Sequence, residues 1–468
     1  MAEPYPEQPF LTGNFAPLRM ECDLQDVIVR GEIPRDLDIT YYRNGPDPQF
    51  APRGEHHWFA GDGMLHMFQV QNGRVQYRNR WVRTAKWKLE HGERRALYNP
   101  FNPLDNDPLT EDAEDDGLAN TNVVWHGGKL LALEEGHPPF EIDPQTLESK
   151  GAWRFNGQLE GPMTAHPKMD PTSGEMLFFG YMADGPFGKG MTYQTVNASG
   201  ELTRSDKFQA PYASMVHDFI TTDEHVIFPI FPLTGSLERA MNGQPAFAWE
   251  PDKGTHIGVM RRDGSIDDIR WFETDPCYVF HPMNAYTKGN KVVAHVMQFE
   301  QAPLFPHLDG SPPDPEKSSA RLCEWVFDLA DNSNGVQRRY LDDVTGEFPR
   351  LDERFVGLEY DYGYYGASTR SDDGVGFNAI ARYDFKTGQR HQYELPEGDV
   401  TGEPVFVPKS PDSPEGEGYL MSIVYRAREN RSDLAFFDAE NLSDGPLALA
   451  ELPHRVPFGF HGNWKYNA

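Results

Sequence analysis

Four histidines in this chain stand in related surroundings: His166 in TAHPKMDP, His217 in SMVHDFI, His281 in YVFHPMNAY and His461 in FGFHGNW. Each follows an apolar or small-residue approach and precedes a turn or a fresh strand. Any one of them alone reads as an ordinary core histidine. As a set they offer four neutral imidazoles, which suit a divalent first-row ion such as iron, zinc, copper or nickel. A structural zinc more often takes closely spaced thiolates, and Cys22, Cys277 and Cys323 are far apart, with no CxxC pair. Four neutral ligands leave the charge of the ion uncompensated. Carboxylates that accept the free ring N–H of a ligand are the natural remedy. Glu135 in LLALEEG, Glu347 in GEFPR and Glu403 in TGEPVFVP are candidates in apolar or turn settings. His56, His91, His137, His307 and His391 lie among polar or turn residues and read as surface histidines.

The elements that must position these residues read as hairpins. HGGKLLALEEG, VNASGELTRSDKF, AYTKGNKVVAHVMQF, ARYDFKTGQRHQYEL and GYLMSIVYRARENRSDLAFFD each join β-formers through a Gly, Asn or Asp turn. KMDPTSGEM and YDFKTGQRH repeat one device, an Asp-led turn closing on Gly. Such units run along almost the whole sequence without a linker. That favours an all-β propeller over two stacked sandwiches, as a single domain over residues 1–468 with loops and short helices capping one face. Segments 97–116 and 231–249 lack the hairpin pattern, and LTGSLERAMNG is expected to make two helical turns. A propeller closes when its last strand joins the first blade, which would order the C-terminal end and fix His461 there.

The charge balance narrows the partners. Lys and Arg total 43 against 72 Asp and Glu, a net charge of −29. This argues against nucleic acid and against attraction to an anionic membrane by charge alone. The start, MAEPYPEQPFLTGNF, has neither a basic nor an apolar leader region. No apolar run approaches a membrane span in length. The expectation is a soluble protein of a reducing compartment, the cytoplasm.

Read together, YYRNGPDPQF, HHWFAGDGMLHMF, ANTNVVWHGGKLLALEEG, AHPKMDPTSGEMLFFGY, MVHDF, FHPMNAY, GEFPR, GEPVFVP and FHGNW resemble, in order, the carotenoid cleavage oxygenases. These are non-haem iron enzymes that split a conjugated C=C bond with O2 on a seven-bladed β-propeller. The resemblance implies that His166, His217, His281 and His461 hold Fe(II). It implies that Glu135, Glu347 and Glu403 bind three of those rings, and that Thr121 crowds an otherwise open coordination position. It also implies a small hydrophobic alkene and O2 as reactants, in an apolar tunnel to which Phe59, Phe101 and Phe305 contribute.

Within the family, PDPQFAPR and the stretch WEPDKGTHIGVMRR resemble the enzymes for lignin-derived stilbenes and phenylpropenoids. That group places a Lys before the first of the three glutamates and a Tyr ahead of an NP motif, and both bind a phenol. Here Glu134 and Phe101 stand at those positions. A carboxylate repels a phenolate, so the expected substrate is a carotenoid or apocarotenoid, with an aryl alkene as the alternative. Peripheral contact with a membrane through 228–247 would suit a carotenoid. A non-enzymatic binding propeller would share the hairpins but would have no need of the four histidines and their carboxylates.

Overall fold

The computed structural model describes residues 3–331, 333–370 and 376–467. Its secondary structure is mostly antiparallel strands, and the chain divides into two compact units. One comprises Met1–Ala165, Leu395–Ser413 and Glu417–Ala468; the other comprises His166–Glu394 and Pro414–Gly416.

Three sheets build the first unit. The strands Cys22–Leu24, Arg74–Trp81, Gly63–Gln71, Ile39–Pro46 and Gly462–Tyr466 form one, in that spatial order. Asn122–His126, Lys129–Leu133, Phe140–Ile142 and Ser149–Ala152 form the second. In the third, Ile28–Gly31 lies beside Pro446–Glu451, followed by Arg431–Asp438 and Gly418–Arg426. The two ends of the sequence are thus paired into early and late sheets, with Ile39 opposite Tyr466 and Arg43 opposite Gly462.

The strand Ile39–Pro46 is buried throughout because both of its faces meet other sheets. Ile39 and Tyr41 pack with Phe68, Val405, Met421 and Phe436, while Tyr42 packs with Leu65, Val123, Leu130 and Ile142.

The second unit holds two four-stranded sheets and a seven-stranded one that runs from Tyr278–Lys288 to Gln389–Glu394. The strand Val336–Leu351 is 16 residues long. Its first part pairs with Arg321–Asp328 and its last part with Tyr362–Ser368. One strand thereby serves two successive four-stranded meanders, so the seven-stranded sheet counts as two. Together with its two neighbours and the three sheets of the first unit, this gives seven meanders among the described residues.

The repeated turn is present as expected. Asp170 Oδ1 accepts from the N–H groups of Thr172 and Ser173 at 2.8 and 2.9 Å. Asp384 Oδ1 accepts from Lys386 and Thr387 at 2.8 and 3.0 Å. Gly174 and Gly388 close these turns at φ +71° and +70°, where a side chain would be strained. Asp143 makes a third copy with Gln145 and Thr146, both at 3.0 Å. Leu147 adopts φ 59° in the closing position of that copy, held by its burial in the core.

In the expected helical segment 231–249, the helix Leu237–Met241 spans five residues, capped by Ser236 accepting from the N–H of Arg239. The strands Leu233–Gly235 and Phe247–Trp249 pair on either side of it. Phe228, Ile230, Phe231 and Leu233 are core, whereas Leu237 and Met241 are exposed. An unforeseen helix, Ala85–Glu93, starts at Thr84, whose side chain accepts from the N–H of Trp87. It buries Lys86 between Asp62 and Glu90, at 2.8 and 2.7 Å. No helix among the described residues is long and apolar enough to cross a membrane.

Candidate metal centre

His166 lies just before the short strand Lys168–Met169, and His217 just before Ile220–Thr221. His281 lies within Tyr278–Lys288 where the pairing register slips between Val279 and Pro282. Such a bulge frees a residue from the ladder and re-aims its side chain. All three are 8% exposed. Nε2 of His217 sits 3.0 Å from Nε2 of His166 and 3.1 Å from Nε2 of His281.

His281 Nδ1 donates to Glu347 Oε2 at 2.6 Å. This contact fixes the tautomer, leaving a lone pair on Nε2. The same carboxylate oxygen accepts from the N–H of Phe348 at 2.6 Å.

His461 repeats the arrangement. Its Nδ1 donates to Glu403 Oε1 at 2.8 Å, while Glu403 Oε2 accepts from the N–H of Gly462 at 3.0 Å. Its backbone is pinned on both sides, with its N–H donating to Thr121 O at 3.1 Å and its carbonyl accepting from Asn44 N–H at 2.9 Å. Phe460 packs against Trp58 with ring centroids 4.6 Å apart, and Trp464 Nε1 donates to Phe406 O at 2.8 Å. His461 is buried as well, at 4% exposed, and within the second unit the Nε2 atoms of His166, His217 and His281 converge.

This donor set fits a divalent ion. Ring nitrogens about 3 Å apart that both carry lone pairs repel one another unless a proton or a metal cation lies between them. The 3.0 and 3.1 Å separations match neighbouring donors on a sphere of about 2.1 Å radius, the length of an imidazole bond to a first-row metal.

Asp218 is absent from the sequence-based site although it directly follows His217. Its Oδ1 receives Lys168 Nζ at 2.7 Å and the Phe219 N–H at 2.7 Å, and its Oδ2 lies 3.8 Å from His166 Nδ1. Burial pushes its carboxyl up, and the Lys168 ammonium opposes that shift.

The remaining expected residues fall as follows. Thr121 follows a buried Asn120 and donates to its Oδ1 at 2.9 Å. Glu135 is half-buried just past the strand Lys129–Leu133. Phe59 and Phe101 both pack on His57, at 4.6 and 4.5 Å between centroids, and Phe59 reaches Phe460 at 5.6 Å. Phe305 is buried in the second unit, edge-on to Phe247 at 6.3 Å.

Glu134 is engaged within the protein. It accepts from the Leu118 N–H at 3.1 Å and pairs with His137 Nδ1, whose Nε2 faces Asp116 at 3.0 Å. Burial works against a charge on His137, yet the Glu134 and Asp116 carboxylates raise its pKa to about 11. His137 is therefore a charged partner of Glu134 rather than a surface histidine. Beside Phe101 lies a pocket lined also by Phe50, His56, Lys86, Glu90 and Tyr98. The Tyr98 hydroxyl is buried there without a hydrogen-bond partner.

Residues 15–466 match the family profile described as retinal pigment epithelial membrane protein. The chain is 38% identical to isoeugenol monooxygenase of Pseudomonas putida, covering 98% of each. It is 37% identical to lignostilbene-alpha,beta-dioxygenase isozyme III of Sphingomonas paucimobilis, covering 98% of this protein and 97% of that one. The crystal structure of Pseudomonas brassicacearum lignostilbene dioxygenase superposes with a TM-score of 0.96 at 35% identity, covering 100% of both chains. The chain therefore belongs to the retinal pigment epithelial membrane protein family, the carotenoid cleavage oxygenases, which are non-haem iron alkene-cleaving enzymes with a seven-bladed β-propeller fold.

Proposed function

We propose that this protein, as one propeller domain over residues 1–468, is an Fe(II)-dependent oxygenase of aryl alkenes. In this reading it splits the exocyclic C=C bond of a phenylpropenoid or stilbene with O2, giving an aromatic aldehyde and a second carbonyl fragment. His166, His217, His281 and His461 would hold the iron, which when bound lets O2 react with an electron-rich alkene. Glu347 and Glu403 fix the tautomers of two of these rings, and Glu135 is assigned the same task for a third. Thr121, bonded through its carbonyl to His461 N–H, is assigned to the rim of the open position.

The observation that carries the choice of substrate is the Glu134–His137 pair. The expectation of a carotenoid rests on a bare carboxylate at residue 134 repelling a phenolate. That carboxylate is compensated by His137, and the repulsion argument loses its force. The names of two relatives, isoeugenol monooxygenase and lignostilbene dioxygenase, support the same class. Phe59 and Phe101, packed against His57, would offer a ring-sized apolar wall. Tyr98, at the pocket beside Phe101, would supply the hydrogen bond to a substrate hydroxyl that Phe101 cannot make.

Full-length protein reconstituted with Fe(II) should be given isoeugenol, a 4-hydroxystilbene and an apocarotenal in labelled O2. An aryl alkene yielding a labelled aromatic aldehyde, with kcat/KM at least tenfold above that for the apocarotenal, is the expected result. Faster cleavage of the apocarotenal would restore the carotenoid assignment, and conversion without label would remove the oxygenase reading.

A further inference from the structure

Arg43 is 2% exposed, a cation almost wholly withdrawn from water, and such a charge requires an anion nearby. Its Nη1 donates to a neutral group, Pro457 O, at 3.4 Å. Three glycines leave room for the guanidinium. A Cβ on Gly459 would stand 3.0 Å from Nη1, one on Gly45 3.7 Å from Nη1, and one on Gly402 3.6 Å from Nη2.

Gly402 adjoins Glu403. Arg43 is also the cross-strand partner of Gly462, whose N–H binds the Glu403 carboxylate at 3.0 Å. Arg43 and Glu403 thus both adjoin Gly462, the residue that follows His461. Burial works against the guanidinium charge, and Tyr41 and Glu403 act in its favour.

We propose that Arg43 is a positioning residue for the metal centre: its fixed positive charge anchors the Glu403 carboxylate, and through it the His461 ring. This rests on the reading of the four histidines as metal ligands. Arginine suits the task because its planar fork stays charged when buried.

The test measures Co(II) and Fe(II) affinity of the full-length protein by competition with a chelator, together with the visible Co(II) spectrum and a thermal melt. Arg43→Gln should lose about tenfold in metal affinity, the lower end for outer partners of a ligand, and should shift the Co(II) bands. Arg43→Lys should stay within about threefold of wild type. In a Glu403→Gln background, Arg43→Gln should add no further loss, because both changes break one interaction.

Equal losses in the two backgrounds would overturn the proposal, as would a folded Arg43→Gln protein with wild-type affinity and spectrum. If Arg43→Gln fails to fold, the Lys variant decides: near-wild-type affinity supports the charge, and a tenfold loss refutes it. A wild-type protein that binds neither ion would instead refute the metal reading itself.

Discussion

His281 and His461 lie far apart in the sequence, yet each is held in the same way, by a glutamate that takes its Nδ1–H and a backbone N–H beside it. Glu347→Gln and Glu403→Gln should each weaken metal binding by about ten- to hundredfold, read by chelator competition, with little change in fold. Tyr98→Phe should raise KM for a phenolic aryl alkene by about three- to tenfold, the worth of one hydrogen bond, and leave the 4-methoxy analogue unchanged in steady-state assays. The four histidines proposed as ligands are legible in the sequence because each sits at a change from an apolar approach to a turn. Asp218 is not, since only the fold brings Lys168 to its carboxylate. Glu134 is deceptive for a related reason. Its compensation by His137 depends on a turn and on Asp116, which lies 21 residues before His137.

At the scale of the elements, the last strand carries a load disproportionate to its five residues. It pairs with Ile39–Pro46 and fixes the backbone that follows His461. A Cβ on Gly462 would stand 2.6 Å from Tyr42 O and 2.7 Å from the Tyr41 hydroxyl. Gly462→Ala should therefore cost about 1–3 kcal/mol by overpacking and weaken metal binding as the strand shifts. Chemical denaturation and chelator competition would record the two effects. The hairpins are legible from their turns, where Asp and Gly have direct conformational consequences. Strands buried on both faces, such as Ile39–Pro46, lose the period of two that marks a half-exposed strand. The helix Ala85–Glu93 is hidden in the sequence because its buried positions, Lys86, Trp87 and Glu90, include two charges that are buried only because Asp62 completes their pairing.

At the scale of the whole molecule, the 72 acidic residues make the buried and paired charges set the pH range. His137 has its folded pKa raised from 6.5 to about 11. Its contribution to stability is complete below about pH 6.5 and is lost as pH rises toward 11. The melting temperature should accordingly decline across that range, more steeply than in His137→Gln. Glu324 has its folded pKa lowered from 4.5 to about 2, first by the His295 ring, whose Nε2 lies 3.6 Å from its Oε2, and then by the Arg339 guanidinium. Its contribution is present above about pH 4.5 and is lost toward pH 2, a loss that Glu324→Gln should not show in the same melts. The propeller is legible as a succession of hairpins, whereas the sharing of Val336–Leu351 between two meanders is not, because the change of partner lies inside one continuous run. The proposed metal centre takes His461 as its fourth ligand, so its most direct test is the iron content of wild type and His461→Ala after reconstitution of both with Fe(II). One iron per wild-type molecule and almost none in the variant is the predicted result. Full iron occupancy in His461→Ala would contradict the four-histidine centre.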